Sequence, residues 1–271
     1  MPFSHVLYNR YSDNIAPSAT VTVQTGTAAT GYPPSYINDR NASRPSKLNE
    51  TTGAWLFDFG SAKTVAIFAL FHANFQAGLQ FHLQANSADS WGAPPFDTII
   101  TMPAWNAARF PGQPWVDLRT LPGYNAYQYW RLAVLSANAV ALAVGDVWMG
   151  GTVRSFNLQV NDKPKYNRPQ IEHSTSYRRL RYPLATLIRS WSGTIPADDT
   201  SRDDLVSWIL DADGRPVLFI PEHSAAVPEA WMALHQTGAI EVTQAFLNAN
   251  FMPLDIEEDG RGLEPTPTPL T

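Results

Sequence analysis

Trp55-Leu56-Phe57-Asp58-Phe59-Gly60, and shortly after it Val65-Ala66-Ile67-Phe68-Ala69-Leu70-Phe71, decide the architecture. In the first run the rings at 55, 57 and 59 alternate with Leu56 and Asp58, the period of two that a half-buried strand imposes because successive side chains point to opposite faces. The second run is apolar at every position, which suits an inner strand of a sandwich covered on both faces. Outward from this pair, short apolar segments recur at 79–84, 127–134 and 141–149, and long helices are not evident. The connections at 32–45 and 91–114 are rich in Pro and Asn and too long for tight hairpins; such loops commonly carry function on a β scaffold.

Composition agrees. The chain has 271 residues, 44% hydrophobic and 16% charged, with 22 Pro, 16 Gly and 9 Trp, so it can fill real cores and needs many turns. Its length suggests about two domains. It contains no Cys, which removes disulfides, thiolate zinc sites and cysteine nucleophiles together and fits folding in a reducing cytoplasm. The net charge of -5 offers nucleic acid no cationic surface. No apolar stretch is long enough for a membrane span, and the first residues lack the pattern of a secretion signal.

The run Gly150-Gly151 marks a change of period, so the first domain is expected over 1–150 and a second over 151–258. From Asp259 onward alternating Pro blocks both helix and ladder, and a flexible Pro/Thr tail over 259–271 is expected. In the second domain the alternation of Phe156, Leu158 and Val160 predicts a strand, 174–182 a second with exposed arginines, and 185–195 a third. Ser201-Arg202-Asp203-Asp204 then has the form of a capping box, and Leu205, Trp208, Ile209 and Ala212 fall on one helical face before Gly214, which predicts a short helix near 202–212. Strands follow at 216–220, 241–246 and 251–256. Charge is polarised along this half: 163–189 holds seven cations against Glu172, whereas from Ser190 onward there are three cations and fourteen anions. Two solvated faces are the plain reading of such runs, and complementary surfaces the sharper one.

Within the first half the order of pieces resembles a galactose-binding-like, discoidin-type jelly roll. Ile37-Asn38-Asp39-Arg40-Asn41 leads to Trp55-Leu56-Phe57-Asp58-Phe59-Gly60; then come 65–74, Ser87-Ala88-Asp89-Ser90-Trp91, Tyr129-Trp130-Arg131-Leu132 and a closing Ala143-Val144-Gly145-Asp146-Val147-Trp148-Met149-Gly150. The resemblance covers about residues 30–151 and implies binding of glycans, lipids or proteins through loops at one end of a sandwich. The second half is similar to distal tail and related tail-tip proteins of long-tailed bacteriophages, on Ile188-Arg189-Ser190-Trp191-Ser192-Gly193-Thr194-Ile195, the expected helix, Gly214-Arg215-Pro216-Val217-Leu218-Phe219 and 246–256. That likeness implies a tail-tube-like β-sandwich or barrel with one short flanking helix. It also implies a structural role in the virion, at the tail tip or baseplate, after synthesis in the host cytoplasm. The expected partners are copies of the chain in a ring, other tail-tip, tube or hub proteins, and a host-surface glycan; neither nucleic-acid specificity nor membrane insertion is expected.

Candidate residues follow from these readings. Trp105, Phe110 and Trp115 on the long loop can stack on the apolar face of a sugar, although large aromatics more often pack a loop onto its scaffold. Arg178, Arg179 and Arg181 are paired in expectation with Asp198, Asp199, Asp203 or Asp204 of a neighbouring copy, head-to-tail contacts being the kind that close into rings. For any single one of them a solvated charge is the commoner outcome. Asp39 and Asp58 have the oxygen chemistry of calcium ligands but fall short of the six to eight oxygens required. Six scattered His give no metal-ligand spacing, and neither a nucleophile elbow nor a phosphate-binding loop occurs, so no cofactor, metal or catalytic residue is expected. A carbohydrate-binding module is the alternative to the structural reading. A glycan depolymerase is the less favoured third, since a carboxylate pair leaves no sequence signature.

Overall fold

The computed structural model describes residues 4–41, 44–103 and 113–158, and beyond these the strands named below together with Ser207 and Asp211. The fold is mainly β with antiparallel sheets, as the sequence leads one to expect. Five strands form one sheet in the order β2 (Thr20–Thr25), β4 (Gly53–Thr64), β9 (Ala126–Val134), β6 (Gln80–Asn86) and β7 (Phe96–Thr101). Facing it are β11 (Asp146–Gly150), β5 (Ile67–Phe71) and β8 (Trp115–Asp117), and a small pair, β3 (Ser46–Lys47) with β10 (Ala143–Val144), sits beside them. A larger sheet runs β12 (Arg154–Leu158), β1 (Ser4–Asn9), β17 (Val217–Ile220), β18 (Trp231–His235), β20 (Ala249–Glu258), β16 (Ile188–Ala197) and β13 (Lys165–Asn167), with β19 (Thr243–Phe246) on β20. Its β12 comes back against β16, so the sheet curls toward closure. β14 (Gln170–Thr175) and β15 (Arg178–Pro183) make a two-stranded sheet of their own.

The alternation in β4 is realised as expected: Trp55 and Phe57 are fully enclosed and join Trp130, Leu132, Leu83, Phe81 and Phe96 between the two sheets. Enclosing each such ring stabilises the fold by about 1.5–3 kcal/mol before ordering costs are counted. The continuous apolar run in β5 has a specific cause. Phe68 and Leu70 face this core, whereas Ile67, Ala69 and Phe71 face outward into a second cluster with Trp148, Leu218 and Ile220. The outer face of the small sheet is therefore covered by β17 from the far end of the chain.

β1 differs from the expected division at Gly151. Its register runs Ser4 against Leu158 and Leu7 against Ile220, so this first strand completes the larger sheet while the chain that follows it builds the sandwich. Asn9 and Trp148 hold the junction: the Trp148 indole Nε1 donates to Asn9 Oδ1 at 3.0 Å, and Asn9 Nδ2 donates to the Thr152 carbonyl. Gly150 is required here because a Cβ would overlap Asn9 Oδ1 and the Ile67 side chain.

The single strand expected over 174–182 is instead part of the β14–β15 hairpin, with Glu172 opposite Arg181 and Thr175 opposite Arg178. Of the expected helix, Ser207 and Asp211 are helical and the rest lies outside the described residues, as does the tail. Asp211 accepts a hydrogen bond from the Ser12 amide at 2.8 Å, a second tie between the two ends of the chain.

Candidate functional site

Strand directions place the connections 26–52, 72–79 and 135–145 at one end of the sandwich, together with Met102 and Pro114, which bound residues outside the described ones. The chain enters and leaves the sandwich at the other end, through Thr20 and Gly150. Two asparagines, Asn138 buried and Asn74 half-buried, lock the loop end. Asn138, 4% exposed, accepts from the Gln76 amide at 2.9 Å and donates through Nδ2 to the carbonyls of Asn74 (3.2 Å) and Val140 (3.0 Å). Asn74 in turn donates to the Ala141 carbonyl and accepts from the Ala143 amide. Backbone bonds join the remaining loops, Leu142 to Glu50 and Leu48 to Leu142 on one side, Gly78 to Met102 and Leu70 to Pro114 on the other. His72, at the end of β5, holds a left-handed backbone with φ of 52°, a conformation costly for a residue with a Cβ and concentrated at functional sites. Leu135 and Val140 stand more than half exposed on the same rim, and the Lys47 ammonium lies 3.8 Å from the centre of the Tyr32 ring.

Trp115 is not on the loop. It opens β8, half-buried against the cluster of Ile67, Phe71 and Trp148, with its indole Nε1 enclosed and without a hydrogen-bond partner among the described residues. Packing, the alternative weighed for these rings, is what its position serves, because the residue lies on the face that β17 covers. Trp105 and Phe110 lie outside the described residues, but both anchors of their loop, Met102 and Pro114, are hydrogen-bonded at the loop end. Arg178, Arg179 and Arg181 are register partners of Thr175, Ser174 and Glu172 in the β14–β15 pair. Their expected partners Asp198, Asp199, Asp203 and Asp204 lie outside the described residues.

Asp39 and Asp58 hold local structure. Asp39 accepts from the Asn41 amide and pairs with Arg44 at 2.7 Å, and burial raises its pKa. Asp58 accepts from the Gly60 amide and from Gln128. Among the described residues no group of three or more His, Cys, Asp or Glu is placed to hold a metal ion, and no helix is long and apolar enough to cross a membrane. The residues missed in the sequence, Asn74 and Asn138, resemble ordinary turn formers there; only the hydrogen bonds they make between the two loops distinguish them.

Asp146 is a further buried acid, at the start of β11. Its Oδ1 accepts from the Val147 amide at 2.8 Å and its Oδ2 is enclosed without a partner among the described residues. Burial drives its pKa well above the ordinary carboxylate value, with nearby Asp39 adding to the rise and Arg40 and the Val147 amide opposing it. A raised folded-state pKa means that the native protein binds this proton more tightly than the unfolded chain. The contribution to stability is therefore complete below the ordinary carboxylate pKa, and it falls as pH rises from there to the folded value. Asp146→Asn, which imitates the protonated acid, is expected to melt at or above the parent temperature at pH 7 and to flatten the decline between pH 4 and 7. A parent-like pH profile, or melting several degrees lower at pH 7, refutes this assignment.

No family model and no curated protein matches the chain. Among solved structures it is similar to the lectin domain of lectinolysin complexed with Lewis B antigen, at 14% identity and a TM-score of 0.40, over 52% of this chain and 98% of that one. It is similar also to a Streptococcus pneumoniae fucose binding module, at 12% identity and a TM-score of 0.39, over 51% and 95%. A third is the family 32 CBM from C. perfringens NanJ in complex with galactose, at 10% identity and a TM-score of 0.38, over 52% and 98%.

Proposed function

We propose that the chain recognises glycan without turning it over, through the loop end of its first sandwich. The observation that carries this reading is the cross-tied rim: Asn74 and Asn138 fix two loops to one another, and the anchors of the aromatic-bearing 102–114 loop are bonded to the same end. A rim ordered in advance lowers the entropy lost when a ligand binds, and aromatic side chains on it add stacking area with few torsions to freeze. Trp105 and Phe110 are the stacking residues in this reading. A glycan array identifies the ligand; against it, Trp105→Ala with Phe110→Ala is expected to lose at least about tenfold in affinity with an unchanged melting temperature. An array that stays blank, or affinity that survives the double replacement, overturns the proposal.

A second reading is a structural place at a phage tail tip, with copies arranged in a ring. It draws support from the β14–β15 hairpin, which among the described residues pairs with neither large sheet, and from the basic 163–189 segment followed by an acidic remainder. A hairpin outside its own sheets is suited to reach another subunit, and the opposed charges favour a head-to-tail contact. The two readings are compatible, since a ring component can carry its own glycan-binding domain.

A further inference from the structure

We propose that the outward face of the five-stranded sheet is a second sugar-binding site, separate from the loop end and selective for a neutral pyranose. The inference rests on the reading that this chain recognises glycan. It concerns a surface that the loop argument does not use.

Strand register sets Thr22, Leu56, Arg131, Gln84 and Asp97 in one row across β2, β4, β9, β6 and β7, with His82 and Ile99 in the adjacent row. Alternation puts this row opposite the core side, where Trp55, Phe57, Trp130 and Leu132 lie. The outer faces of sandwiches ordinarily carry solvated side chains. Here they form a network. His82 Nδ1 lies 2.9 Å from Asp97 Oδ1, and Gln84 Nε2 donates to Asp97 Oδ2 at 2.9 Å. Trp91, from the connection after β6, donates its indole Nε1 to Asp89 at 2.7 Å, and its ring lies 5.3 Å from the Arg131 guanidinium. Gln24, at the register shift of β2, also reaches Asp89.

The network is incomplete in a particular way. Arg131 Nε, Gln84 Oε1 and Gln24 Oε1 are all enclosed without a hydrogen-bond partner among the described residues, and Gln84 as a whole is 6% exposed. Enclosed polar atoms without partners are costly, and a cluster of them on rigid strands asks for an outside partner. One unmet donor beside two unmet acceptors suits hydroxyl groups, each of which donates and accepts. Asp89 and Asp97 flank Arg131, so an anionic sugar, phosphate or sulfate meets two carboxylates before it reaches the cation. That excludes acidic glycans and favours a neutral ring. Asp89 holds Trp91 and Gln24 beside Arg131, and both belong to pieces outside the regular ladder. The indole moving off Arg131 is the step that admits a pyranose, and its face then stacks on the ring.

The test is titration of the whole chain with methyl β-galactoside, methyl β-glucoside and methyl α-mannoside, with glucuronate and glucosamine as charged comparisons. It follows the indole N–H resonance of Trp91, assigned through Trp91→Phe. The expected result is a saturable shift with at least one neutral glycoside that survives Trp105→Ala with Phe110→Ala. Gln84→Leu, followed on the same resonance, and Trp91→Ala, followed by titration calorimetry, should each weaken that binding at least tenfold, with the fold kept in both because Gln84→Leu removes an unmet acceptor along with its bond to the exposed Asp97. No movement of Trp91 while loop-end binding persists overturns this site and leaves the loop-end reading standing. A response to glucuronate or glucosamine alone overturns the neutral assignment. Silence at both sites removes both readings.

Discussion

Replacing Trp148 with Ala should lower the melting temperature of the whole chain by ~6–20 °C. Trp148 is 1% exposed and sits where three parts of the sequence meet: Ile67 and Phe71 of the small sheet, Leu218 and Ile220 of β17, and Asn9 of β1. Truncating a buried Trp costs about 3–5 kcal/mol through lost transfer energy and the cavity left behind, and a chain of this size loses about 2–4 °C per kcal/mol. The indole also takes its hydrogen bond with it, in a place water does not readily reach. The position matters more than the size of the ring. Because β1 pairs with β12 and β17 while the next strand in sequence, β2, pairs with β4, the larger sheet and the sandwich share a covalent and a packed connection. Calorimetry should therefore show the loss in the main transition, with Trp148→Phe recovering most of it. A shift below ~2 °C, or one confined to a minor transition, would show that the outer face of β5 stabilises little.

This junction also shows what local sequence can and cannot encode. That β5 is covered on both faces was legible from seven consecutive apolar residues. What covers the second face was not, since Leu218 and Ile220 lie in a run that reads equally well as the inner strand of its own domain. β1 is a similar case. Its pattern identifies no partner, and the choice between sheets is made by β12 and β17, which are distant in sequence. The alternation of Trp55, Phe57 and Phe59 needed no such information, because pleat and burial are set residue by residue.

The candidate sites divide along the same line. Long connections carrying Trp105 and Phe110 could be recognised from composition, but Trp115 is drawn into a strand by the neighbours it meets at Ile67, Phe71 and Trp148. Asn74 and Asn138 carry no local mark, since Asn is common in loops whether or not its amide is enclosed. Arg131 reads from sequence as a late-strand residue of the resembling family. Its place opposite Gln84 and near Trp91 and Asp89 exists only once β6 and β9 have paired.

Asn138→Ala is the second large effect, and it joins stability to binding. Three side-chain hydrogen bonds disappear, leaving the Gln76 amide and the carbonyls of Asn74 and Val140 to find water. Since the rim is close to solvent, part of the cost of about 1–3 kcal/mol per stranded group is recovered. A net loss of ~2–3 kcal/mol follows, or ~4–12 °C in melting temperature. The tip of 135–145 then loosens against 72–79, to which only the Asn74 bonds with Ala141 and Ala143 still hold it, and a ligand must order it again, which weakens glycan affinity by about tenfold. Asn138→Asp keeps the acceptor for Gln76 but removes both donors and places a carboxylate against two carbonyl oxygens, so it should be at least as damaging at pH 7 and partly relieved as the acid protonates. Melting curves and affinities on the same preparations separate the outcomes. If stability falls and affinity does not, the asparagine serves the fold and glycan binds elsewhere on the chain; if both fall together, the cross-tied rim is the binding surface, because only there does loop order enter the affinity.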